Sequence, residues 1–393
     1  MPVVELLRDL IAIPSVNPMG RDIDGPEYLE AGVTDYLEGW FGKIGVDYQR
    51  IELQPRRCNI VARYEGNPDR PTVWLDAHQD TVPVEGMTIP AFDPEERGGR
   101  IYGRGSCDVK GGMASMLTAF ARIVRERPAL SGDVIVSCTC DEEQGMSGIC
   151  DLVGRWGSGG TGDAGKWLTR KPDAVIVAEP TSLNIVVAHR GVTRWKLQTA
   201  GRAAHSSQPS QGLNAIYRMA EVVGHLEEYA SRLENDSVPH PLCGSPTLSV
   251  GRIEGGISVN VVPDECTIEI DRRVIPGEDQ TKVIEQVDAF LRERIRFDYT
   301  MQPPWCVARS LSDDFNGRLA GRLLTVVEAV VGPRQKLGVA YGTHAAVTGP
   351  TGVPTVVFGP GSIEQAHTKD EWIESAQLDQ AAEILFRFLA AAG

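Results

Sequence analysis

The sequence predicts an α/β protein, a sheet covered by helices, interrupted by a smaller α+β sandwich. Three observations carry this. Helix-period and strand-period segments alternate through the first 180 residues, the signature of a layered sheet. After Pro180 the character changes to longer alternating strands with two amphipathic helices, and near residue 302 the first pattern returns. The chain also has 393 residues, more than one hydrophobic core usually organises. The expected domains are a discontinuous one, 1–185 with 302–393, and an inserted one, 186–301.

The elements follow in order. Leu6, Leu7 and Leu10 recur at helical spacing over 2–12. Glu5, Arg8 and Asp9 interrupt that pattern, and no basic lead or A-x-A site accompanies it, so the segment reads as a mature helix and not a secretory leader. A second helix is expected over 27–44, strands over 58–63 and 72–77, a helix over 111–127, and strands over 132–139 and 173–177. The insertion should hold strands at 192–200, 246–253 and 265–273 with helices at 212–233 and 279–295, a βαββ-like order with a closing helix. A helix over 313–331, the apolar strand Thr355 to Phe358 and a final helix over 373–391 complete the chain.

Composition removes several function classes. Acidic residues outnumber basic ones 53 to 39, for a formal charge of −14, and no Lys/Arg run could track a phosphate backbone, which argues against nucleic acid. No uncharged apolar run of 18 residues occurs, which argues against a membrane span. Eight cysteines lie between Cys58 and Cys306 without small-scaffold spacing, which fits a reducing, cytoplasmic setting. The close pair Cys138 and Cys140 sits in a β-like run and reads as buried thiols. Gly160 to Lys166 matches G-x-x-x-x-G-K, but Trp167 stands where Ser or Thr must ligate magnesium, so a surface loop is expected there.

Five positions carry ligand chemistry. His78 and Asp80 end an apolar strand, where His78 can ligate a metal while Asp80 hydrogen-bonds the other ring nitrogen. Asp108 is the sole acid of a Gly-dense turn that opens a helix. Asp141, Glu142 and Glu143 crowd the end of the strand before them and repel one another unless a cation neutralises them. Glu179 follows the strand 174–178, and His367 follows the strand at 355. Each alone also suits a plainer reading: a surface turn, a helix cap or a solvated acidic turn. Together they put His, Asp and Glu at five loops of one α/β domain. Adjacent carboxylates there suit a hydrolytic metal site in which one ligates and the other takes a proton from water.

The strings HQDTVP, GRGSCDVKGG, DEEQG, AEPT, GRAAHSS with P-x-x-G-x-N behind it, NVVPDECTIEIDRR and GPGSIEQAHTKDEWI resemble the dinuclear zinc hydrolases that include acetylornithine deacetylase, succinyl-diaminopimelate desuccinylase, aminoacylase and the glutamate carboxypeptidases. The resemblance spans essentially the whole chain. It implies a zinc-peptidase-like catalytic domain with helices on both faces of a mixed sheet, and an inserted dimerisation or lid domain that makes a homodimer. It implies two Zn2+ per chain, with Co2+ able to substitute: His78 and Glu179 on one, Glu143 and His367 on the other, Asp108 bridging. Glu142 then resembles the general base, Asp80 the orienter of His78, and His205 a histidine that reaches the other subunit's site. Asn260 and Arg273 match substrate-side positions. The family commonly has a cis peptide after the bridging acid, here Asp108–Val109. The substrate expected is a small N-acyl amino acid, closest to acetylornithine, with desuccinylase or small glutamate-type carboxypeptidase activity as the alternative and a catalytically silent metal protein further off. One departure is His344, which stands where many relatives carry an acid in a loop bordering the substrate pocket.

Overall fold

The structure is a computed structural model that describes residues 1–157 and 167–391, so the Gly160 to Lys166 loop lies outside the described residues. The chain forms two compact units, one of Met1–Val187, Asp313–Leu337 and Thr343–Gly393, the other of Ala188–Ser312 and Gly338–Gly342.

The first unit is built on a mixed sheet of eight strands. Its spatial order is Asp47–Gln54, Arg57–Tyr64, Val134–Thr139, Val73–His78, Ala174–Val177, Thr355–Val357, Ile185–His189 and Lys336–Val339. Val73–His78 runs parallel to both its neighbours, and Thr355–Val357 runs parallel to Ala174–Val177. Arg57–Tyr64 is antiparallel to the strands beside it. The four central parallel strands are buried along their whole length. That is why they read as unbroken apolar runs and not as alternating ones. Helices Val3–Ile11, Ala31–Ile44, Lys110–Glu126, Gly317–Val331 and Ser375–Ala390 supply Leu10, Phe41, Phe120, Leu323 and Phe388 to the core over this sheet.

The second unit has an antiparallel sheet in the order Thr247–Gly255, Glu265–Val274, Gly191–Ala200, Tyr299–Met301, and Cys306–Ala308 also pairs with Gly191–Ala200. Burial alternates along Gly191–Ala200 and Glu265–Val274, so one face packs on helices Ala215–Asp236 and Val283–Arg292. Trp195, Ile268, Leu226 and Leu291 make that core.

Several boundaries differ from the expected ones for local reasons. The helix expected from 27 starts at Ala31, because Leu29 takes φ 69° and the chain turns before Glu30. The helix expected from 212 starts at Ala215, because the Asn214 side chain accepts from the backbone N–H of Ile216 and Tyr217. Helix Ser147–Arg155 and strand Asp47–Gln54 were not expected at all; the strand is a half-exposed edge whose DYQRIELQ carries little apolar pattern.

Candidate metal centre

The loops that leave the central strands at their carboxyl ends converge. His78 is the last residue of Val73–His78, Asp141 to Glu143 follow Val134–Thr139, and Glu179 follows Ala174–Val177. His367 lies in the loop after Thr355–Val357, and Asp108 in the turn before helix Lys110–Glu126. An open α/β sheet gathers loops from different strands at this end, which is how residues nearly 300 positions apart meet.

Asp108 stands at the middle. Its Oδ1 is 3.1 Å from Nε2 of His78, and its Oδ2 is 3.3 Å from Nε2 of His367, which is also 3.3 Å from Oε2 of Glu143. Two potential triads result, His78, Asp108 and Glu179, and Asp108, Glu143 and His367, in each of which the ligand atoms lie within 4.8 Å of one another. Asp108 does not cap its helix, whose N-cap is Val109 with no side-chain bond. The Asp108–Val109 peptide is cis.

This crowd of charge is uncomfortable without a cation. Burial pushes the Glu143 carboxyl up to about 8 and raises Glu142 and Glu179 as well. Hydrogen bonds donated to the Asp108 and Glu143 carboxylates lift the His367 imidazole to about 10. Burial alone would lower His78 and raise Asp108, but their mutual contact, with His367 on the Asp108 side, reverses both. Among the described residues, Oε1 of Glu143 is buried without a hydrogen-bond partner. Divalent cations would replace the shared protons and occupy that acceptor, and imidazole nitrogen with carboxylate oxygen is a donor set that zinc accepts.

The support of the site corrects one expectation. Nδ1 of His78 is 2.9 Å from the main-chain oxygen of Asp80, while the Asp80 carboxylate lies 3.6 Å away. The carbonyl therefore fixes the tautomer that leaves Nε2 free for a metal. The carboxylate has other partners: it accepts from the backbone N–H of Glu142 and Glu143 at 3.0 and 3.1 Å and from the Asn17 amide at 2.8 Å. Asp80 thus clamps the loop carrying the two adjacent glutamates. Spacing alone could not tell carbonyl from carboxylate.

Glu371 was missed. Its buried carboxylate accepts from the N–H groups of Gly105, Cys107 and Asp108 at 2.8 to 2.9 Å and from Arg104 Nη1 at 2.7 Å. It holds the Asp108 turn from beneath. Its signal was an acid four residues beyond His367, with nothing in the sequence to show that its partners are backbone.

His344 is buried. Its Nδ1 is 2.7 Å from Oδ2 of Asp76, its Nε2 has no hydrogen-bond partner among the described residues, and its ring meets His78 edge-on at 6.2 Å between centroids. In the second unit, exposed His205 has Nδ1 2.7 Å from Oγ of Ser207 and pairs along the backbone with Val261. Asn260 is close to it, its carbonyl accepting from Ser206 N–H at 3.0 Å. Arg273 lies at the far end of strand Glu265–Val274 from that loop, where its Nε donates to Asp271 at 2.7 Å. Elsewhere in the second unit, His189 is buried with Nδ1 2.9 Å from the Arg190 carbonyl, and His225 lies 3.5 Å from Glu228.

With this geometry in hand, comparison with known proteins gives a consistent picture. The family model described as Peptidase family M20/M25/M40 matches residues 74–391. An acetylornithine deacetylase of Pectobacterium atrosepticum is 32% identical, covering 98% of this chain and 96% of its own length. One of Salmonella typhimurium is 29% identical over 98% and 96%. Among solved structures, an M20 family metallo-carboxypeptidase of Sulfolobus solfataricus superposes with TM-score 0.77 at 18% identity, covering 99% of each chain. Aminopeptidase PepT of Bacillus cereus superposes with TM-score 0.75 at 19% identity over 99% and 98%. Among the described residues, no helix is long and apolar enough to cross a membrane.

Proposed function

Since the chain belongs to peptidase family M20/M25/M40 and is a metal-dependent hydrolase, we propose that it cleaves the amide bond of a small N-acyl amino acid, acetylornithine first among them. The observation that carries the reading is the pair of triads sharing Asp108, with Glu142 beside them in neither triad. His78, Asp108 and Glu179 would hold one zinc ion, and Asp108, Glu143 and His367 the other, with cobalt able to substitute. When bound, the ions supply Lewis acidity toward water and the amide carbonyl.

This chain's own residues do the rest. Glu142, its carboxyl raised by burial, takes the proton of the attacking water and returns it to the leaving amine. Asp80 keeps Glu142 in place through its backbone N–H. His205 serves as an oxyanion donor to the site of a second copy, in a homodimer formed through the inserted domain, 186–301. Asn260, from the loop before strand Glu265–Val274, and Arg273, from its far end, contact the substrate's carboxylate side. His344 borders the amino-acid side of the substrate. A cytoplasmic role in arginine biosynthesis belongs to the same reading, supported by the names of the relatives and by eight cysteines without a disulfide.

The test is a panel of N-acyl amino acids with zinc-loaded protein. N-acetylornithine should turn over faster than N-succinyl-diaminopimelate; the opposite ranking moves the protein to a desuccinylase.

A further inference from the structure

A second cavity-forming region lies in the first unit at the opposite end of its sheet. A cavity of about 520 Å³ opens at the amino ends of strands Val73–His78 and Ala174–Val177, beside Pro354, which precedes Thr355–Val357. Those strands end near the metal-centre loops, so a strand's length, roughly 17–20 Å for six residues, separates the two places.

Four arginines line the cavity, Arg70, Arg170, Arg318 and Arg322. Ion pairs are plentiful elsewhere in this chain, yet none of the four is within 4.0 Å of a carboxylate among the described residues. Asp69 and Asp173 also line it, leaving a local excess of two positive charges in a protein whose net charge is −14. Asp173 is turned to the backbone N–H of Thr72, at 2.8 Å, and not to a guanidinium.

Of the pair Arg318 and Arg322, the first is exposed and the second half-buried. They sit in the first two turns of helix Gly317–Val331, which has no acid in its first turn. That end of a helix favours anions, so two cations there add to its positive pole. Half-buried Arg322 lies over the Phe388 ring at 5.3 Å, and burial together with neighbouring Arg318 lowers its guanidinium. Val73, Leu319 and Phe388 give the cavity an apolar wall.

We infer that this cavity is a binding site for a small organic dianion, its phosphate or carboxylate groups held by the four arginines and its carbon body against Phe388 and Leu319. Guanidinium forks suit both oxyanion types through paired N–H donors. The site is separate from the metal centre and does not depend on the identity of the substrate.

Isothermal titration of the zinc-loaded protein with sulfate and with succinate, each against chloride at matched ionic strength, tests it. At least one dianion should bind saturably with one site per chain. Arg318→Gln/Arg322→Gln should weaken that binding at least about tenfold while its hydrolytic activity, and so its fold, persists. Arg70→Gln/Arg170→Gln should do the same from the other wall, which keeps the test open if the first pair misfolds. Tighter sulfate binding identifies a phosphorylated ligand and tighter succinate binding a dicarboxylate. Binding that is unchanged in both variants, or no saturation by either dianion beyond chloride, overturns the inference.

Discussion

The loops around Asp108 and the loop around His205 treat polar groups in opposite ways. At the first, His78, Asp80, Asp108 and Glu179 are buried, Glu142 and Glu143 half-buried and His367 exposed, and two of the loops are tied by specific acceptors: Asp80 holds Glu142 and Glu143, Glu371 holds the Asp108 turn. At the second, His205 is exposed and bonded to a neighbouring serine two residues away. The contrast teaches that the first region is organised around something it must neutralise. The second is an exposed surface loop whose histidine is bonded only locally. A buried acidic crowd left to itself costs several kcal/mol in desolvation and repulsion, so its persistence in the fold is best explained by bound cations.

The sharpest way to break this comparison is Glu142→Gln, which removes the proposed base and leaves its shape. Turnover should fall at least about 10²-fold while metal content, measured by atomic absorption, hardly changes. Loss of zinc in Glu142→Gln with retention in Glu143→Gln would reverse the roles of the two adjacent acids.

His205→Ala probes the other region, with an expected loss of about 10²-fold, typical of an oxyanion donor. Mixing this variant with Glu142→Gln should restore up to about a quarter of wild-type activity, because half of randomly exchanged dimers hold one complete site of two. No recovery despite demonstrated exchange places His205 in its own chain's chemistry or outside catalysis.

The smallest effect sharpens the electrostatic side. Glu30 is fully buried, 3.8 Å from Arg57 Nε, and burial followed by the Asp80 charge raises its carboxyl from the ordinary 4.5 to about 8. The folded chain then keeps a proton that the unfolded chain releases, so this stabilisation is full below pH 4.5 and is lost as pH rises through 8. Glu30→Gln should flatten the decline in denaturant stability between pH 5 and 8, by on the order of 1–3 kcal/mol. An unchanged slope would mean that Glu30 is ionised in the fold.

Much of this was legible because the chemistry sits where periodicity stops. His78, Asp141 to Glu143 and Glu179 each terminate an apolar run, so a strand reading exposes them. Their supports were hidden for a common reason: their bonds are to backbone. Glu371 binds three main-chain N–H groups, and His78 is oriented by a carbonyl, and neither kind of partner leaves a mark on residue type. Strand Asp47–Gln54 was lost because an exposed edge needs no apolar alternation, and the burial of His344 because its partner Asp76 sits inside an otherwise apolar strand.

The central claim, hydrolysis at a two-metal centre bridged by Asp108, is tested most directly by stepwise zinc titration of chelator-stripped protein with N-acetylornithine hydrolysis and metal content followed together. The account predicts no turnover in the stripped protein, recovery on adding zinc, and saturation at two equivalents per chain, with Asp108→Ala binding at most one. Full turnover by the metal-free protein would contradict it.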